Sequence, residues 1–415
     1  MNLLFEKILH SPILWLLAVV PVALAAAKFM PEAHTLLFVL SVLAIVPLAT
    51  LLSHATESIA AKTGDAVGGL LNATLGNLTE LVIALAALRA GEHLLVKASI
   101  AGAIVTNTLF MLGVSFLIGG LKYHVQEYNR VAARMQAGLL FLATVALLIP
   151  SATSNVDAVP GVMVTQKLSV GLAVILIVTY GLFMLYSLQT HRELVAGTDA
   201  HESSEKPWPV GLAVGTLAGV TVLVALISEI FVESVQQAAE DFGMTPAFVG
   251  FIVVALVSAA AEMASAFSGA LKNRLDLSVG IALGSASQIA LFVAPTLVLL
   301  SHVIGPRPMD LQFWPGAIVM VLIATLTAAF VTNSGRSTWF VGVFILMVYL
   351  IFALTLLLLP PGKTSLQVSR SAMNHWACDL RGERLVNASW CRQIGVHQNW
   401  RKLCPFTQTL PMPIA

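Results

Sequence analysis

The stretch ATLGNLTELVIALAAL, residues 73–88, holds one acidic residue, Glu80, inside a run that is otherwise suited to a lipid bilayer. A second run, VVALVSAAAEMASAFSGA at residues 253–270, does the same with Glu262. A carboxylate at that depth is costly unless a cation or a proton neutralises it, so each reads as an ion site.

The whole chain supports a membrane setting. Its 415 residues are 58% apolar and only 10% charged, against roughly 25% charged residues in an ordinary soluble domain. The mean hydropathy is +0.88. Apolar runs of about 20 residues, the length a helix needs to cross the hydrocarbon, recur between short polar breaks. They predict eleven spans, at 13–30, 35–60, 67–89, 94–120, 134–151, 168–188, 209–235, 246–270, 276–301, 313–332 and 338–359. Membrane β-strands would alternate over about 10 residues, whereas these runs are continuous. The expected fold is therefore an all-α polytopic membrane protein. The first apolar segment follows Lys7 and resembles a signal peptide, but spans follow at once, so a retained first helix is expected.

Lysine and arginine concentrate in alternate loops. Lys7, Lys62, the group Lys122, Arg130 and Arg134, then Arg192, Lys206, Lys272, Arg274 and Arg336 outnumber Lys28, Arg89, Lys97, Lys167 and Arg307 on the other side. That bias predicts a cytoplasmic N-terminus. The formal net charge of +1 conceals a basic tail on a mildly acidic membrane part, with no nucleic-acid footprint. All three cysteines, Cys378, Cys391 and Cys404, lie in that tail without metal-ligand spacing.

The polar break from His191 to Pro209 separates two sets of five spans, and the sets correspond. TESIAAKTG answers VESVQQAAE, which aligns Glu57 with Glu233; GNLTELVIALAAL answers SAAAEMASAFSGA, which aligns Glu80 with Glu262. SIAGAIVTNTLF answers GIALGSASQIALF, which aligns Asn107 with Gln288 after one gap. An odd number of spans separates the partners, so they run in opposite directions and the halves form an inverted repeat, an architecture of secondary transporters with a mid-membrane site. The expected organisation is a leading helix in 1–33, a first five-helix repeat in 34–190, a polar cytoplasmic linker in 191–208, a second five-helix repeat in 209–360 and a basic tail of no assigned role in 361–415.

Near Glu80, Asn77 and Thr74 share a helix face with it, and Gly76 lets another backbone approach or the helix loosen so that carbonyls turn to an ion. Ser99, Thr106 and Asn107 add neutral oxygens, and Ser258, Ser285, Ser287 and Gln288 do so in the second half. Two carboxylates with hydroxyl, amide and carbonyl oxygens suit a hard cation, calcium best; zinc and copper would favour nitrogen or sulfur. Close carboxylates repel in a low dielectric, which favours discharge by one divalent cation or by protons. The expected metal-site residues are Glu80, Glu262, Asn77, Gly76, Ser99, Asn107, Ser285 and Gln288. Glu57, Glu229 and Glu233 are candidates for carrying protons or lining the route. Thr74 and Ser258 can equally satisfy their own helix carbonyls. Asp65, Glu92, Glu127, Asp276 and Asp310 fall at loop ends and read as solvated.

At GLLNATLGNLTELVIALAALRAG and NRLDLSVGIALGSASQIALFVAP the chain resembles the calcium/proton exchanger (CAX) family of the calcium/cation antiporter superfamily, over roughly residues 35–360. The resemblance implies eleven helices, a leading helix outside the repeat, and calcium efflux driven by protons. The family's Gly-Asn-x-x-Glu motif falls on Gly76, Asn77 and Glu80, its second-half glutamate on Glu262, its Gly-Ser-x-x-Gln on Gly284, Ser285 and Gln288, and its acid of the seventh helix on Glu229. The second motif departs from the family pattern: Ala259 and Met263 stand where an asparagine and a histidine are usual.

The function expected is exchange of calcium for protons at the two-glutamate site. A sodium-coupled exchanger of calcium or another cation is the nearest alternative, and a cation channel a more remote one. Calcium and protons are cargo, and no resident cofactor is expected. An intramembrane enzyme is disfavoured: HESSE at His201 lacks the second histidine of a zinc protease, and no G-x-S-x-G occurs.

Overall fold

The computed structural model describes residues 11–63, 65–153, 162–191 and 208–358. The tail at 361–415 and residues 192–207 of the linker, with the expectations that fall on them, lie outside the described residues. The described residues are helical almost throughout. Helix α1 spans Ile13–Phe29 and α2 His34–Ala60. A broken pair follows, α3 at Asp65–Leu75 and α4 at Leu78–Arg89, then α5 at His93–Tyr123. The first half ends with α6, Arg130–Thr153, and α7, Val162–Leu185. The second half holds α8 at Val210–Asp241, a second broken pair, α9 at Pro246–Ser258 and α10 at Ala260–Leu271, then α11 at Leu275–Leu300, α12 at Pro315–Thr332 and α13 at Trp339–Leu358.

Eight of these helices are long and apolar enough to cross a membrane, nine if the α9–α10 pair is one span bent by 59°. Helix α1 is too short by that measure, and α3 and α4, with 11 and 12 residues, each fall short because the run breaks between them.

The helix ends follow local chemistry. Pro246 and Pro315 open α9 and α12 at a position where a missing N–H costs nothing, and Thr245 caps α9 by accepting from Phe248 N at 3.1 Å. Gly91 ends the turn after α4 with φ +81°, and Asn273 does the same after α10 with φ +59°, the left-handed conformation that stops a helix.

Helices α5 and α11 form the centre. Their most apolar windows are 83% and 67% buried, against 22% for α7 and α8. Helix α5 crosses α9 at close range, and a Cβ at Gly102 would collide with the Phe251 backbone. Helix α2 packs along α8. Outside the bundle, Val125–Glu127 (β1) pairs antiparallel with Arg336–Thr338 (β2), Val125 opposite Thr338; this ribbon was not foreseen, because two strands of three residues leave no readable alternation.

Glu127 is exposed as expected, whereas three other loop-end acids are less solvated than expected. Asp310 is half-buried and meets Lys97 at 2.6 Å. Asp276 accepts from the Asn129 backbone N–H, and Glu92 from Gln236 at 2.6 Å. Each sits where a loop folds back onto a helix, and a carboxylate leaving water there takes a donor in exchange.

Candidate functional site

Both acidic residues occupy the same place in a restarted helix. Asn77, with φ −98° and ψ 26°, is the N-cap of α4, so Glu80 is its third helical residue. Ala259, with φ −82° and ψ 5°, is the N-cap of α10, and Glu262 is again the third. A carboxylate there faces the positive end of the helix dipole and free N–H groups. One constant offset carries Asn77 to Ala259, Glu80 to Glu262, Gly91 to Asn273, and His93 at the start of α5 to Leu275 at the start of α11.

The first break has a local cause in Gly76. The second does not. Ser258, Ala259, Ala260 and Ala261 are all compatible with an unbroken helix, alanine being the strongest helix former, so packing imposes the bend. The sequence offered no signal for it beyond the correspondence with the first half.

The breaks bring the halves together. Glu80 lies within electrostatic range of Glu262, with Ser258 beside the Glu80 carboxyl and Ser285 beside that of Glu262. Asn77 Nδ2 donates to Gln288 Oε1 at 2.5 Å, Ser285 Oγ donates to Asn77 Oδ1 at 3.0 Å, and Asn107 Nδ2 donates to Ser285 Oγ at 2.9 Å. Four elements thus meet in one polar cluster: the α3–α4 break, the α9–α10 break, α5 and α11. Asn107 lies in a π-helical turn, Thr106–Met111, and Gln288 immediately precedes another, Ile289–Val293. Such turns shift a side chain around the helix at functional positions, and each half places its amide at the start of one.

Two acceptors in this region are buried without a hydrogen-bond partner among the described residues, Glu262 Oε2 and Asn107 Oδ1. Buried oxygens in that condition favour a bound cation or proton. No group of three or more His, Cys, Asp or Glu side chains converges among the described residues, so a cation between Glu80 and Glu262 would take its remaining oxygens from neutral groups.

Of the other expected residues, Gly76 adjoins the cluster. It is at the first break, and a Cβ there would press on the Asn72 carbonyl and come within 4.0 Å of Gln288 Oε1. Ser99 is two turns before Asn107 and donates to Val96 O at 2.8 Å, outside the cluster. Thr74 satisfies Leu70 O at 2.9 Å. Glu57 is exposed near the end of α2, 3.7 Å from His54. Glu229, half-exposed on α8, pairs with Arg89 at 3.3 Å, and Glu233 is exposed one turn on. All three acids are exposed, unlike the Glu80–Glu262 cluster, where Glu262 Oε2 is buried. Met263 is buried, as is Ala259.

Gln136 on α6 was missed. Its carbonyl accepts from Ser287 Oγ at 3.2 Å, and its own Oε1 is buried without a partner among the described residues. A lone amide in the apolar run RMQAGLLFLATV was the available signal.

Comparison with known proteins places the chain among ion exchangers. The family described as sodium/calcium exchanger protein matches residues 33–189 and again 212–358. The chain is 41% identical over 332 residues to the Ca(2+)/H(+) antiporter of Aphanothece halophytica, covering 77% of this chain and 89% of that one. It is 40% identical over 327 residues to the Ca(2+)/H(+) antiporter ChaA of Bacillus subtilis, covering 78% and 92%. Among solved structures, native YfkE superposes with a TM-score of 0.72 at 36% identity, over 84% of this chain and all (100%) of that one. The H+/Ca2+ exchanger CAX, at 16% identity and a TM-score of 0.65, shares the fold over 89% and 96% of the two chains.

Proposed function

Because the chain belongs to the sodium/calcium exchanger protein family, we propose that it exchanges calcium for protons by alternating access at the Glu80–Glu262 site. The observation that carries this reading is the juxtaposition of two carboxylates, each on the third residue of a helix that restarts after a break, among neutral oxygens from both halves. The names of the bacterial relatives support calcium and protons as the cargo.

Charge balance gives the coupling. One calcium ion neutralises both carboxylates and finds more of its six to eight oxygens at Asn77, Ser285 and Gln288 and at carbonyls freed by the two breaks. Two protons neutralise the same pair. Either loaded form presents no net charge to the hydrocarbon, whereas the empty dianion does, and a dianion is costly to carry through low dielectric. The site therefore changes sides when discharged by calcium or by protons, which is exchange. Asn107 positions Ser285 through its amide N–H, and its buried Oδ1, without a hydrogen-bond partner among the described residues, is a further oxygen for the ion. Glu57, Glu229 and Glu233 line the approaches, where their charge attracts cations. The correspondence of the two broken pairs supports an inverted repeat, with the halves tilting about the site.

Purified protein in liposomes tests the proposal. Imposed proton gradients should drive calcium against its own gradient, and imposed sodium gradients should not. Drive by sodium would transfer the site to sodium coupling, and calcium leakage indifferent to both gradients would make it a channel.

A further inference from the structure

An open cavity of about 370 Å³ lies on the first turns of α6, walled by Arg130, Val131, Arg134 and Met135. Both arginines are exposed and reach for one acceptor: Arg130 Nη2 donates to Asn333 Oδ1 at 3.4 Å, and Arg134 Nη2 donates to the same atom. Neither guanidinium meets a carboxylate among the described residues. The nearby acids are engaged elsewhere, Glu127 by Arg336 at 2.9 Å and Asp276 by the Asn129 backbone. Two cations one helical turn apart thus share a single neutral oxygen, which leaves most of their ten N–H donors without a strong acceptor.

From this charged end an apolar track runs down α6. Val131, Met135, Gly138, Leu142, Val145 and Ile149 recur at steps of four and three and so share a face. Val131, Leu142, Val145 and Ile149 are exposed, and nothing stands within 4 Å of a Cβ built on Gly138, so the track is shallowest there. Residues Arg130–Ser151 of α6 are apolar and long enough to cross a membrane. The arginine pair therefore sits at the water boundary and the track faces hydrocarbon.

We propose that this face of α6 is a seat for an anionic phospholipid. The lipid phosphate accepts from Arg130 and Arg134, paired guanidinium forks being the side chains best matched to phosphate oxygens, and one acyl chain lies along the track from Val131 to Ile149. A headgroup with net negative charge is selected over a zwitterionic one, because the zwitterion's own amine offsets its phosphate. None of the residues that wall the seat belongs to the exchange site, so its occupancy can be read separately from calcium binding.

Native mass spectrometry of the full chain, released from bilayers of equal phosphatidylglycerol and phosphatidylcholine, tests this. The wild type should retain phosphatidylglycerol, and the double variant Arg130→Gln/Arg134→Gln should retain it roughly 30-fold less, as expected for two cationic groups removed from an anionic headgroup. The double variant Arg130→Lys/Arg134→Lys should keep most of the preference, which separates loss of charge from loss of fold. Equal retention of the two lipids by the wild type, or a preference unchanged in the glutamine variant, overturns the proposal. So does displacement of the lipid by millimolar inorganic phosphate, which would make the cavity a site for the free anion.

Discussion

Asn77 Nδ2 donates to Gln288 Oε1 at 2.5 Å across 211 residues of chain, joining the break in the first half to the helix that carries the amide of the second. Asn77 also accepts from Ser285 at 3.0 Å, so one side chain ties both faces of the cluster. Replacing it by alanine strands Gln288 Oε1 and the Ser285 hydroxyl together. At about 1–3 kcal/mol for a buried group left unsatisfied, Asn77→Ala should raise the KM for calcium roughly tenfold. Calcium-dependence curves in proteoliposomes measure it, and an unchanged KM would reduce Asn77 to holding helices together.

Glu80→Gln and Glu262→Gln should each lower calcium-driven proton movement roughly a hundredfold, because a single carboxylate cannot balance a divalent ion in low dielectric. The protein should still reach the membrane folded, as amide and carboxyl are close in shape. Proton flux reported by a trapped dye in vesicles checks this. Full transport in either variant would remove that residue from the site.

Neighbouring serines on α11 should differ. Ser285 bridges Asn107 and Asn77 and stands beside Glu262, whereas Ser287 bonds only backbone carbonyls, of Leu283 at 2.8 Å and Gln136 at 3.2 Å. Ser285→Ala should cut calcium transport about tenfold, the worth of one or two buried hydrogen bonds, with Ser287→Ala within about twofold of wild type. Equal losses would mean that the hydroxyls serve packing alone.

Calcium and protons compete for the same carboxylates, so lowering pH on the calcium side should raise the KM for calcium while leaving the maximal rate unchanged. Initial rates across a pH series give the sign directly. A KM indifferent to pH would place protons on a different group.

The close crossing of α5 and α9 gives a test of the fold. Gly102→Ala puts a methyl into the Phe251 backbone and should destabilise by about 1–3 kcal/mol, the usual cost of overpacking. Gly171→Ala on α7, where nothing lies within 4 Å, should be neutral or stabilising by up to about 1 kcal/mol. Thermal unfolding in detergent compares them.

Much of this was legible before any coordinates. Continuous apolar runs give helices because backbone groups in lipid must be satisfied within the segment. Eight of the expected spans fall on helices long enough to cross, while the runs at 67–89 and 246–270 are each broken in two and the span at 13–30 is short. Glu80, Glu262, Asn77, Ser285, Gln288 and Asn107 were recognisable as polar groups too costly to bury without purpose, and they meet in the structure. Other features, besides the ribbon and Gln136, were hidden. The bend at Ala259 is made by packing in a sequence that favours helix. The π-turns at Thr106–Met111 and Ile289–Val293 have no composition of their own. Ser99 gives its hydroxyl to the Val96 carbonyl of its own helix, and spacing alone does not reveal which partner a hydroxyl takes.

The central claim is that calcium and protons discharge one shared pair of carboxylates. Proton release on calcium binding, followed in weakly buffered solution with purified protein, tests it most directly. Addition of calcium to the wild type should eject protons, and the double variant Glu80→Gln/Glu262→Gln should neither bind calcium nor release them. Calcium binding without proton release, or undiminished binding by the double variant, would contradict it.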